Sequence, residues 1–192
     1  MPQTADTHPR ATQPAARLTR SSVMNPPERD STHENHQGVY TLIIRLARPC
    51  RISIANHRPL VVNQGLHLYV GSALGRGSTS LEARIRRHLR RRKSRFWHID
   101  RILASKSAEV VSVVFAETEC KAECRVNAAL LMDPSIAVVR KGIGSSDCRC
   151  ESHFLKATGS LRCVREKVRS CYVRLGLRPN TLRTQSRPIQ TL

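Results

Sequence analysis

Cys148-Arg149-Cys150-Glu151-Ser152-His153 places two thiols and an imidazole within six residues. These are soft donors that hold Zn2+ tetrahedrally when a fourth ligand, here Cys124 or His98, completes the set. The C-x-C-x-x-H spacing departs from the C-x-x-C of zinc knuckles, and ordinary buried thiols are the plainer reading. Cys120 and Cys124 lie four apart in a stretch that reads as helix, so both look like core residues. Arg84 and His88 are also four apart on a helix, so their side chains point the same way. They border the apolar stripe Leu81, Ile85 and Leu89, where a cleft could form. Glu123 lies mid-helix, where a carboxylate is usually solvated. Trp97-His98-Ile99-Asp100 combines an aromatic anchor with a His–Asp pair that orients the following segment. Gly71-Ser72-Ala73-Leu74-Gly75-Arg76-Gly77 lacks the lysine and spacing of a P-loop, which argues against an NTPase. No nucleophile-elbow pattern accompanies the Ser, His and Asp residues, which argues against a serine hydrolase.

Charge narrows the partners. The 192 residues hold 33 Lys+Arg against 14 Asp+Glu, a formal net charge of +19. A chain this basic is drawn to polyanions, nucleic acid or anionic lipid. Between Arg76 and Arg101 ten basic residues face only Glu82 and Asp100, a local excess of +8. Arg76, Arg87, Arg91, Arg92, Lys93 and Arg95 are the expected nucleic-acid track. No base-reading motif accompanies them, so binding should be sequence-independent and steeply salt-sensitive. DNA is the expected partner and RNA the other candidate. No apolar run approaches the roughly 18 residues of a membrane span. No apolar stretch near the N-terminus resembles a signal peptide, and Pro2, Pro9 and Pro14 interrupt the helix of a transit peptide. Seven cysteines, an odd number, do not read as a secreted disulfide framework. The expected location is the cytoplasm, on the nucleoid in a prokaryote. Met24 is a second candidate start.

Elements that would position these groups follow from periodicity. Residues 1–36, rich in Pro, Thr, Ser and Asn, read as a disordered arm. Residues 37–156 hold most of the β-branched residues and read as the folded unit. Residues 157–192 read as a basic tail with a short helix near 161–174. Val39 to Leu46 alternates as a strand, with Tyr40, Leu42, Ile44 and Leu46 on one face. Arg51–Ala55 and Leu60–Val62 flank a turn at Asn56-His57-Arg58-Pro59. Leu66–Gly71 is a further strand, with Tyr69 opposite in sense to Leu66, Leu68 and Val70. Thr79 and Glu82 have capping-box spacing for a helix running to about Arg92. Glu109–Ala116 is a β-branched strand, and Thr118 opens a helix from Glu119 to about Met132. The order predicts an α/β (α+β) fold, with one mainly antiparallel sheet flanked by helices.

Several pieces in order resemble the GIY-YIG nuclease superfamily. They are Gly38-Val39-Tyr40, Tyr69-Val70-Gly71-Ser72-Ala73, Arg84 with His88, Trp97-His98-Ile99-Asp100, Glu123-Cys124 and the run from Gly142 to His153. More closely, the chain resembles a family of small uncharacterised proteins within or near that superfamily, sometimes fused to DNA-repair glycosylases. The likeness spans roughly residues 38–155. It implies a metal-dependent DNA endonuclease, structure-specific and acting in DNA repair. By that resemblance Tyr40 accepts or relays the proton of a nucleophilic water, and His88 takes the proton from Tyr40. Tyr69 orients water or phosphate, Arg84 grips phosphate oxygens, and Glu123 holds one Mg2+ or Mn2+. The gap from Tyr40 to Tyr69 is longer than in the superfamily because the 51–62 hairpin intervenes. Arg101 and Ile143 stand where the narrower family has aromatics, and the superfamily's late Asn has no match. Two other classes stay open: a non-catalytic nucleic-acid-binding module on the same fold, and a zinc-stabilised interaction protein using Cys148, Cys150 and His153.

Overall fold

The computed structural model describes residues 36–53, 59–90 and 97–184. Strand β1 (Gly38–Leu46) lies at the middle of a six-stranded sheet. It pairs on one side with β4 (Gly65–Ala73) and on the other with β5 (Ala108–Glu117), both antiparallel. β7 (Phe154–Ala157) extends the sheet beyond β4, and β6 (Ile136–Val138) closes that edge. β8 (Asn180–Arg183) closes the other edge against β5. The short ribbon of β2 (Cys50–Ile52) and β3 (Leu60–Val62) stands apart from this sheet and forms the extra hairpin between the two tyrosines. Residues 54–58, which include most of its expected turn, lie outside the described residues. The chain is thus a mixed α/β fold on a mainly antiparallel sheet.

Alternation along β1 decides the layers. Tyr40, Leu42, Ile44 and Leu46 face a core completed by Leu81 and Ile85 of helix α1 (Leu81–Leu89) and by Ile99 and Ile102 of α2 (His98–Leu103). Val39 and Ile43 face the other way, into a core with Val126 and Leu130 of α3 (Glu123–Leu131) and Val164, Val168 and Tyr172 of α4 (Leu161–Arg174). Each such side chain, taken from water, stabilises the fold by about 1.5–3 kcal/mol. The sheet is therefore covered on both faces, and its period-two pattern assigns each residue to one helical layer.

Helix starts differ from expectation for local reasons. α1 begins after Ser80, whose Oγ accepts from Ala83 N at 3.3 Å. Thr79 instead donates its hydroxyl to Arg76 O at 2.8 Å, closing a turn. α3 begins at Glu123, four residues later than expected, because Thr118 Oγ1 accepts from Cys120 N at 3.2 Å and holds a turn there. The largest correction concerns the expected basic tail from 157 onward. Most of it is folded: β7 ends at Ala157, α4 fills the second core and β8 joins the sheet. Val164, Val168, Cys171 and Tyr172 form a buried stripe at helical spacing, hidden in the sequence among arginines that occupy the outer face. Tyr172 Oη reaches through to Thr41 Oγ1 at 3.0 Å, joining α4 to the central strand.

Candidate functional site

Two neighbouring clusters emerge, one built on tyrosines and one on thiols. Tyr40 and Tyr69 both hang from the sheet face that α1 and α2 cover. In the β1–β4 register Tyr40 lies opposite Gly71. A Cβ at Gly71 would sit 2.6 Å from Tyr40 Cζ and Oη, so the glycine leaves the gap through which the phenol crosses its neighbour strand. That is the physical content of the paired Gly/Tyr triplets.

His88 Nε2 meets Tyr40 Oη at 2.9 Å, and both residues are buried. Behind the imidazole stands Asp100, its Oδ1 at 4.0 Å from His88 Nδ1, an ion-pair distance rather than a hydrogen bond. Asp100 is wholly buried and held by three hydrogen bonds from two residues. Arg87 donates through Nη1 to Oδ1 at 3.1 Å and through Nη2 to Oδ2 at 2.9 Å, and Trp97 N donates to Oδ2 at 2.9 Å. Such a bidentate fork fixes both partners. Arg87, expected on the nucleic-acid track, is thereby committed to positioning Asp100. Asp100 itself was read only as part of a structural His–Asp pair. Its acidic side chain, three residues after Trp97, caps α2 and is the signal that could have located it.

Arg84 supplies the positive charge. It acts on Tyr40 as a charge and as a hydrogen-bond donor, and on Tyr69 as a charge. Its guanidinium lies 4.9 Å from the Trp97 ring centroid, a cation–π distance. Its Nε is buried and bonded to nothing. Burial is the main influence on the two phenols. It drives Tyr40 far above the ordinary tyrosine range, helped by Tyr69 and Asp100 and opposed by Arg84. Tyr69 is pushed up to about 12 by burial first, with Arg84 opposing and Asp100 and Asp147 assisting. Both hydroxyls are therefore neutral donors at ordinary pH.

The structure thus brings Tyr40, Tyr69, Arg84 and His88 together. Glu123 does not join them. Its helix packs on the opposite face of the sheet. One carboxylate oxygen faces Lys121 at 3.5 Å, the other is buried without a hydrogen bond, and its charge falls on His153 and Cys150. A hard Mg2+ or Mn2+ shared with the tyrosines does not fit these residues. The carboxylate that acts on both phenols, Asp100, is engaged by Arg87 and Trp97.

The second cluster holds Cys124, Cys148, Cys150 and His153, whose ligand atoms all lie within 4.8 Å of one another, a set that could hold a metal ion. His153 Nε2 is 3.6 Å from Cys148 Sγ and 3.9 Å from Cys124 Sγ. Of the two candidates for a fourth ligand, Cys124 supplies the donor, rather than packing in the core beside Cys120. Cys120 is exposed and outside any helix, and His98 is not part of the set. Burial, then the thiols of Cys150 and Cys148, pushes Cys124 up to about 12. The two clusters touch through Gly144. With φ at +73° it adopts a backbone state suited to glycine, and a Cβ there would lie 2.7 Å from the Tyr69 ring and 3.3 Å from His153 Cβ.

Of the expected nucleic-acid contacts, Arg76 is exposed, and Arg91, Arg92, Lys93 and Arg95 lie outside the described residues. No described helix is long and apolar enough to cross a membrane. A family model for a domain of unknown function, DUF123, matches residues 39–176, a span that includes both clusters and α4. No curated protein and no solved structure matches the chain.

Proposed function

The chain belongs to the DUF123 family, a domain of unknown function, and from that premise we propose that it is a nuclease of GIY-YIG type that hydrolyses DNA phosphodiesters. The observation that carries the proposal is the Tyr40–His88 hydrogen bond at 2.9 Å, with Arg84 acting on the same phenol. The ordered resemblance to GIY-YIG nucleases and the +19 charge support it independently.

In this reading Tyr40 works as a relay. A standing phenolate is disfavoured, because burial and the nearby Asp100 and Tyr69 all raise its pKa. The attacking water gives its proton to Tyr40 Oη as Tyr40 passes its own to His88 Nε2. The resulting imidazolium gains the field of Asp100 behind Nδ1. The new P–O bond forms, the scissile P–O bond breaks, and the departing oxygen takes a proton from solvent. Arg84, with a free buried Nε, receives charge developing on the phosphoryl oxygens. Tyr69 remains protonated and donates to the phosphate. Arg84 and Trp97 are partly exposed and so meet the substrate before the buried pair. The resemblance brings with it Mg2+ or Mn2+. No proton or charge transfer in the proposal runs through such an ion.

Incubation with branched, nicked and single-stranded DNA, in the presence of Mg2+ or Mn2+, tests the proposal. Cleavage should fall about 10²–10⁴-fold in Tyr40→Phe, the range for a lost proton-transfer group. Arg84→Ala should cut the rate by about 10²-fold or more, as for a lost oxyanion donor. Cleavage that survives equally in both variants belongs to a contaminant.

A further inference from the structure

We propose that Cys124, Cys148, Cys150 and His153 bind one Zn2+ ion, which staples the 139–153 loop to the start of α3. The assignment is independent of the nuclease reading.

Geometry is the first support. Zn–S bonds of about 2.3 Å and Zn–N bonds of about 2.0–2.1 Å give a tetrahedron with edges of about 3.6–3.8 Å. The imidazole nitrogen already stands 3.6 Å and 3.9 Å from two of the sulfurs. No ligand pair exceeds 4.8 Å, so closing the set needs shifts of about 1 Å at most. His153 presents Nε2 to the thiols, the orientation a ligating imidazole requires. All seven cysteines are free thiols, so these three are not spent in a disulfide.

Chemistry is the second support. Three thiols this close cannot ionise together without a cation among them, whereas Zn2+ binds thiolates directly. Three thiolates and a neutral imidazole around Zn2+ carry a net charge of −1. Lys121, which pairs with Asp147 at 3.3 Å and with Glu123 at 3.5 Å, lies beside the set, and its charge reaches His153 together with theirs. Four protein ligands leave no open position, which marks a structural ion rather than a catalytic one.

The surrounding fold explains why a staple is needed. Between β6 and β7 runs the 139–153 segment without helix or strand. Gly142 N to Glu151 O and His153 N to Ile143 O, both 2.8 Å, tie it to itself, and His153 O accepts from Val70 N of β4 at 3.0 Å. α3 has Ala122 at its N-cap and no side-chain cap, and Cys124 sits in its first turn. An ion shared by Cys124, Cys148, Cys150 and His153 anchors that helix end to the loop. It also holds the Gly144 wall against Tyr69.

The test is metal analysis of the full-length chain, reduced, incubated with Zn2+ and dialysed. One zinc per chain is expected, and replacement by Co2+ should give the intense visible bands of tetrahedral thiolate coordination. Cys124→Ser and Cys148→Ser should lose the ion. Cys163→Ser, exposed on α4 and outside the set, should keep it. Should the ligand variants fail to fold, chelation of the wild-type protein gives the answer: its Tm should fall and recover on adding one equivalent of Zn2+. Wild-type protein that retains no zinc above buffer and gives no cobalt spectrum overturns the assignment. So does zinc held equally by Cys148→Ser, or a Cys124–Cys150 disulfide in the freshly isolated protein.

Discussion

At the scale of single residues, the tyrosine cluster depends as much on what is missing as on what is present. Gly71 contributes an absent side chain, and the phenol of Tyr40 fills the space. In Gly71→Ala the new methyl would meet the packed ring, moving Oη off His88 Nε2. Cleavage should drop by at least tenfold while DNA binding stays near wild type, which a paired kinetic and binding assay checks. Much of this cluster was legible beforehand, since the triplets, Arg84 and His88 are all visible as residue types at fixed spacing. Asp100 was read as the partner of His98, not of Arg87 and His88. Nothing local says that Arg87 will surrender its charge to it. For Glu123, which face of the sheet α3 covers is a tertiary fact, invisible to helical spacing.

Among the elements, long strands and short ones behaved differently. β1 and β4 carry nine residues each, enough for alternation to declare a face. β6 and β7 have three and four, too few for any period, and no strand was expected at either. Helix α4 was visible from Leu161 to Arg174, yet its burial was not, because its outer arginines made the region read as a charged tail. Its attachment is testable through Tyr172, which shares its hydroxyl with Thr41 at 3.0 Å. Tyr172→Phe keeps the ring but strands a buried Thr41 hydroxyl, so denaturant melts should show a loss of about 1–3 kcal/mol. A change below a few tenths would mean that α4 is not seated on β1. Cys124 was open to two readings, fourth ligand or core partner of Cys120, and the choice between them is an element-scale matter as well. With the helix taken to start at Glu119, Cys120 and Cys124 fell on one face. With the start at Glu123, only Cys124 is helical.

The whole molecule has a pH window set by its buried titratable groups. All three tyrosines of the chain are buried with raised pKa, burial being the first cause in each. Unfolded tyrosine ionises near 10, so the native state is fully favoured below that value. Stability falls as pH rises from 10 through about 12 for Tyr69. On the acid side, burial, with Lys156 adding to it, pushes His67 down to about 4 from 6.5, although the carbonyl of Gly65 opposes. A depressed histidine contributes stability above 6.5 that is lost as pH falls through 4. Thermal melts should therefore show a plateau between about pH 7 and 10 with declines on both sides. Tyrosine absorbance should show no phenolate before the alkaline decline begins, and early phenolate would mean that the rings are solvated. The central claim remains the chemistry of the Tyr40–His88 pair beside Arg84. It is tested most directly by the single-turnover cleavage rate of one labelled nicked duplex, wild type against Tyr40→Phe, with matched Tm and metal content. A fall of about 10²–10⁴-fold is predicted, and equal rates in the two proteins would contradict the account.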